Sequence, residues 1–111
     1  MVISKSELFT EEQQLKAVFF KALSHPARLA ILTFLANTKT CISGDISDEL
    51  PLSRTTVNQH LTELKKAGLI KGTITGSKTN YCLNTCDIEK MGLMVNLFFQ
   101  NLISGTSNEC S

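Results

Sequence analysis

Apolar and polar positions recur at helical spacing along most of this chain and at strand spacing in one stretch near its middle. "TEEQ" opens the first helix as a capping box, with Thr10 as cap and Gln13 three residues on. Glu11 and Glu12 favour the positive helix end. Leu15, Val18, Phe19, Ala22 and Leu23 then form one stripe that predicts a buried face, and Phe20 falls well off it. "SHPARLAILTFLA" predicts a second helix. Pro26 takes its first position, where no donor is lost, and His25 is a helix-start residue. Apolar residues at 29–32, 34 and 35 surround this helix, so it is expected to be central, and Asn37 to Thr40 breaks it. "SGDISDEL" predicts a short helix capped by Ser43, with Asp45 and Asp48 in its early turns and Pro51 as its stop.

The stretch "SRTTVNQHLTELKKAGLI" predicts a helix over about 54–67. Ser53 is its N-cap, Val57, Leu61 and Leu64 its inner stripe, and Gly68 its left-handed C-cap. "LIKGTITGSKTNYCLN" alternates as a hairpin, with Ile70 and Ile74 on one arm, Tyr81 and Leu83 on the other, and "TGSK" as the turn. A lone hairpin is marginal, so this one must lean on the helices. The last helix runs from about Thr85 to Ser104. Ile88, Met91, Val95, Phe98 and Leu102 share one face, while Leu93 and Leu97 lie nearly opposite. One face can meet the domain's own core. The other needs a cover, and in a chain this short the expected cover is a second copy. Phe20 makes the same demand. Several large side chains at ~1.5–3 kcal/mol each favour such a dimer. The expected fold is therefore mainly α with a β-hairpin wing, in the order α-α-α-α-β-β-α, a winged helix-turn-helix.

With Val57 at the centre of the inner face, Thr55, Gln59, Thr62 and Lys66 point outward, flanked by Thr56 and Asn58. Amides and hydroxyls of this kind hydrogen-bond base edges, and a major groove admits a helix. Arg54 and Lys65 lie at the sides, where phosphates run, and Ser53 with the free donors of the first turn can hold one more. A solvated helix usually mixes Glu with Lys, whereas Glu63 is the sole acid over 54–67. That imbalance, with a hairpin directly following, favours DNA contact. His60 sits at the edge of the inner stripe, as a packed or phosphate-contacting side chain.

Charge distribution points the same way. The chain of 111 residues carries a net charge of only +1. Residues 51–80 hold Arg54, Lys65, Lys66, Lys71 and Lys78 against Glu63, and the remainder is net acidic. A basic segment on a nearly neutral domain suits a nucleic-acid surface. The length fits one domain, 1–111, with residues 1–8 and 105–111 expected to be flexible tails. No window approaches the ~20 apolar residues of a membrane span, and "MVISKSELFTEEQQ" lacks a signal-peptide core. A cytoplasmic location with no membrane partner is the expectation. No Ser-His-Asp set, phosphate-binding glycine loop or hydrolase motif is present, so the chain is expected not to be an enzyme.

"LSHPARLAILTFL", then "LSRTTVNQHLTELKKAGLI", then a wing ending in "NYCLN", resembles the ArsR/SmtB family of bacterial winged-helix regulators over roughly residues 12–103. The resemblance implies a homodimer joined through the first and last helices, binding a palindromic double-stranded DNA operator as a repressor. On that reading Ser53, Arg54, Thr55, Thr56, Asn58, Gln59, His60, Thr62, Lys65, Lys66 and, in the wing, Lys78 contact DNA. Leu15, Phe19, Phe20, Met91, Met94, Val95, Phe98 and Leu102 form the dimer interface. A winged-helix module for protein contact, without specific DNA binding, is the rival reading.

Many members of that family release DNA on binding a metal or metalloid. One family site uses a CxC pair in a stretch like "ELCVCDL". Here the matching stretch is "TCISGDI", the pair falls on Ile42 and Gly44, and Cys41 comes one place too early. Another uses Asp and His on the last helix, but 87–103 offers Asp87 and Glu89 without a histidine. Neither site is kept. The cofactor, if one exists, is unknown. Cys82 and Cys86 with Cys110 or Cys41 form a weak candidate for a soft metal ion, a metalloid or thiol redox sensing. In a cytosolic chain the expectation is four unlinked, reduced thiols.

Overall fold

The computed structural model describes residues 8–39, 41–44, 46–74 and 79–105. Helix α1 (Glu11–Leu23) starts at the expected capping box. Thr10 Oγ1 accepts from the Gln13 amide at 3.1 Å, and Gln13 Oε1 accepts from the Thr10 amide at 3.0 Å. Helix α2 (Pro26–Thr38) starts at His25, whose Nδ1 accepts from the Ala27 amide at 3.1 Å. It stops at Lys39, a left-handed residue with φ 60°. Then follow β1 (Ile42–Ser43), a single 3-10 turn (Ser47–Glu49) and α3 (Arg54–Lys66). The chain continues through β2 (Ile70–Thr73), β3 (Asn80–Leu83) and α4 (Thr85–Ser104).

The terminus of α3 shows why glycine stands at 68. Gly68 has φ +83°, its amide donates to Lys65 O at 3.0 Å, and the Leu69 amide donates to Leu64 O at 3.0 Å. These two bonds close a Schellman motif and turn the chain straight into β2.

The wing is one strand richer than expected. β3 lies between β1 and β2, and both pairings are antiparallel. Ile70, Lys71, Gly72 and Thr73 face Leu83, Cys82, Tyr81 and Asn80, while Ile42 and Ser43 face Tyr81 and Asn80 from the other side. Ser43 is therefore a strand residue and not a helix cap, and the expected short helix contracts to one 3-10 turn without a side-chain cap. The physical reason is that β3 offers a second edge, and backbone groups there must find partners. The expected "TGSK" turn lies outside the described residues.

Ile31 and Leu35 of α2, Val57, Leu61 and Leu64 of α3, and Ile70 and Tyr81 of the sheet are essentially inaccessible and form the core centre. Helix α2 is central, as expected, although Leu29 faces outward. The apolar stripe of α1 is displaced from its expected position. Phe19 and Ala22 are buried with Leu23 packed beside them, whereas Leu15 and Val18 are more than half exposed. Phe20, off the stripe, leans on Phe19 and Phe98 with ring centroids 5.8 and 6.2 Å away. In α4 no residue is fully buried. Ile88, Met91 and Val95 rest against the core, and Leu93, Leu97, Phe99, Leu102 and Ile103 are exposed.

Those positions divide the residues of the expected interface by their burial within one protomer. Phe19 belongs to the protomer's own core, and Met91 and Val95 rest against that core as well. Met94 and Phe98 are half-buried, while Leu15 and Leu102 are more than half exposed. Periodicity alone could not divide these residues, because α1 and α4 carry apolar side chains on more than one face.

Candidate nucleic-acid interface

Helix α3 begins on Ser53, whose Oγ accepts from the Thr56 amide at 3.2 Å and donates to Thr56 Oγ1 at 3.0 Å. The cap thus uses Ser53 and half-buries Thr56. The inner stripe of Val57, Leu61 and Leu64 anchors the helix to the core and fixes its outer face. On that face Arg54, Thr55, Gln59, Thr62, Lys65 and Lys66 are exposed, and Asn58 is half-buried. Thr62 Oγ1 donates to Asn58 O at 2.8 Å. Lys66 lies 3.6 Å from Glu63, an exposed pair of small energetic weight. Seven of the eleven expected DNA contacts, Ser53 included, are thus exposed on one helix and its cap. Lys78 lies outside the described residues.

His60 is corrected from this set. It is 8% exposed, and its Nδ1 accepts from Arg28 Nε at 3.2 Å. Its ring sits 4.4 Å from that of His25. Burial, then the charges of His25 and Arg28, hold its pKa below the ordinary 6.5. An imidazole that accepts from a guanidinium is neutral at that nitrogen, so His60 braces α3 against α2. Arg28 also donates from Nη1 to Lys21 O at 3.3 Å, at the end of α1. A single guanidinium thereby joins three helices. Sequence reasoning missed Arg28 because its partner is 32 residues away. An open cavity of about 560 Å³ lies above this brace, lined by Lys21, Arg28, Gln59, His60, Thr62 and Glu63.

The cysteines also depart from expectation. Cys41 and Cys82 are joined by a disulfide, with Cα atoms 4.4 Å apart, and Cys86 is free and exposed. Their sulfurs are therefore committed to each other and do not form a thiolate cluster with Cys86. The pairing follows from the sheet: with Ile42 opposite Tyr81, the preceding and following residues come together. A separation of 41 residues gives no local signal of this. Cys110 lies outside the described residues. No group of three or more potential metal ligands converges among the described residues.

Among the described residues, no single helix is long and apolar enough to cross a membrane. The helix-turn-helix domain model matches residues 23–73, which run from the end of α1 through β2. The transcriptional repressor SdpR of Bacillus subtilis is 36% identical over 66 residues, 60% of this chain and 72% of that protein. The transcriptional activator HlyU of Vibrio cholerae is 30% identical over 82 residues, 73% and 75% of the two chains. In fold, the chain is similar to a homodimeric winged helix-turn-helix DNA-binding domain of Mycobacterium bovis, a possible ArsR-family regulator. That likeness has a TM-score of 0.63 at 21% identity and covers 98% of this chain and 100% of the other. With α3 set between a helix-turn-helix turn and a three-stranded wing, and with relatives of this kind, the chain belongs to the helix-turn-helix DNA-binding transcriptional regulators.

Proposed function

We propose that this regulator is a homodimeric repressor that lays α3 into the major groove of each half of a palindromic operator. The observation that carries the reading is the outer face of α3. Thr55, Gln59 and Thr62 are exposed there between Arg54 and Lys65. Amides and hydroxyls at the centre read bases, and cations at the sides meet phosphates. Ser53, Thr56, Asn58 and Lys66 complete the surface, with Lys78 of the wing as a further phosphate contact.

The dimer rests on the apolar surface of α1 and α4. Leu15 and Val18 on α1, with Leu93, Leu97, Leu102 and Ile103 on α4, are each at least half exposed in one protomer. A monomer leaving so many large side chains in water is unusual, and a two-fold contact covers them. A two-fold dimer also matches a palindromic site, with half-sites one helical turn apart.

A dimer seated over a promoter excludes polymerase, which makes repression the simplest outcome. The similar SdpR and HlyU are a repressor and an activator, so the fold itself serves both signs. The chain acts by binding and not by catalysis, and it works in the cytoplasm, where its operator lies. The test is a reporter driven by the selected operator. Expression that falls when the protein is supplied supports the reading, and expression that rises overturns the repressor assignment.

A further inference from the structure

The Cys41–Cys82 bond spans the DNA-reading part of the chain. Cys41 immediately precedes β1, and Cys82 lies within β3. Between them in sequence come the 3-10 turn, α3 and β2. One covalent link therefore ties the start of the reading unit to its end.

The non-covalent hold at the same place is slight. β1 has two residues, paired at Ile42 and Ser43. Beyond them the Gly44 amide donates to Thr79 O at 2.8 Å, and Thr79 Oγ1 donates to Gly44 O. An edge this short is marginal by itself. Removing the link leaves β1 free to part from β3, and the segment leading into α3 loosens with it.

The bond is also accessible. Cys41 is exposed and Cys82 half-buried. Both line an open cavity of about 370 Å³, together with Leu35, Ala36, Lys39, Leu83 and Thr85. A small thiol or hydroperoxide can reach sulfur there. Cellular DNA is kept in a compartment where thiols are reduced, and disulfides that form there are mostly redox-sensing.

We propose that Cys41 and Cys82 are a reversible thiol–disulfide pair that sets DNA affinity, tight when joined and weaker when reduced. The proposal rests on the DNA-binding reading above. On oxidation, one thiolate attacks a hydroperoxide oxygen and breaks the O–O bond. It becomes a sulfenic acid, and the alkoxide takes a proton to leave as alcohol. The second thiol attacks that sulfur, the S–S bond forms, and water departs. Two thiols are oxidised and one hydroperoxide is reduced. In the reverse direction two small thiols reduce the disulfide and leave as their own disulfide. Joining β1 to β3 fixes the wing relative to α3 before DNA arrives, so less ordering remains to be done on binding.

The test uses the full chain, oxidised with hydrogen peroxide or reduced with dithiothreitol, with each state verified by alkylation and mass spectrometry. Affinity is then measured for a duplex obtained by selection. Oxidised protein should bind about fivefold or more tightly than reduced protein. Cys41→Ser and Cys82→Ser should bind as the reduced form does under both conditions, and Cys86→Ser should keep the response. Equal affinity in the two states, tighter binding by the reduced state, or loss of the response in Cys86→Ser overturns the proposal. If neither state binds any duplex, the DNA reading fails separately. The switch is then judged on wild-type protein by hydrogen exchange at the Gly44 amide. Exchange about tenfold slower when oxidised supports a redox-controlled β1 edge, and equal rates overturn it.

Discussion

If the chain pairs through α4 as proposed, replacing Leu97 with Asp should dissociate the two copies while leaving the protomer folded. Leu97 is 59% exposed in one protomer and lies outside the core cluster, so the substitution removes little packing from that protomer. A leucine to aspartate change within a helix costs about 0.5 kcal/mol in propensity, which a core of this size tolerates. The effect on association is much larger. Fully burying a leucine is worth about 1.5–3 kcal/mol. With over half of Leu97 still available to bury, each copy loses about 1–2 kcal/mol. A two-fold contact counts the change twice, giving ~2–4 kcal/mol, or roughly 30- to 700-fold in Kd. Desolvating two carboxylates adds to this. Sedimentation equilibrium measures the constant, and circular dichroism verifies that helix content is retained. A folded Leu97→Asp protein that dimerises as tightly as wild type would refute the placement of the interface on the outer face of α4.

Gln59→Ala should relax preference at one base pair per half-site by about 1–3 kcal/mol in a binding selection, while binding to other positions keeps its pattern. Lys65→Ala should weaken binding to all sequences and flatten the dependence of log affinity on log salt by about one unit, as a lost phosphate contact does. Gly72→Ala should lower the melting temperature sharply. Gly72 has φ +126°, and an added Cβ would lie 2.0 Å from Asn80 O, so β2 and β3 must separate to admit it. Stability should also depend on pH through His60. Its pKa is lowered on folding by burial, then by His25 and Arg28, so the unfolded chain takes up the proton first as pH falls. The contribution is complete above the unfolded value near 6.5 and is lost as pH drops through the lower folded value. Urea midpoints should fall on acidification, and His60→Gln should shallow that slope.

The helices were legible because their signals are local. Thr10 with Gln13, His25 before Pro26, and Ser53 each satisfy backbone donors within three residues of themselves. Gly68 marks the end of α3 by the left-handed conformation it alone adopts cheaply. The outer face of α3 was legible for a related reason, since Val57, Leu61 and Leu64 fix which side turns inward. What escaped depends on distant partners. β1 has too few residues to alternate visibly and exists because Tyr81 and Asn80 offer an edge. The Cys41–Cys82 bond is a consequence of that register. His60 looked peripheral on its own helix and is covered by His25 and Arg28 at the start of another. The apolar faces of α1 and α4 carry more than one stripe each, and only packing reveals which one the protomer uses itself.

The most direct measurement is selection from random duplex DNA by the full-length protein, repeated across a salt series. Enrichment of one palindrome with half-sites about 10–10.5 base pairs apart is predicted, with affinity falling steeply as salt rises. An unenriched pool, or binding indifferent to salt, would contradict the assignment of α3 as the helix that reads DNA.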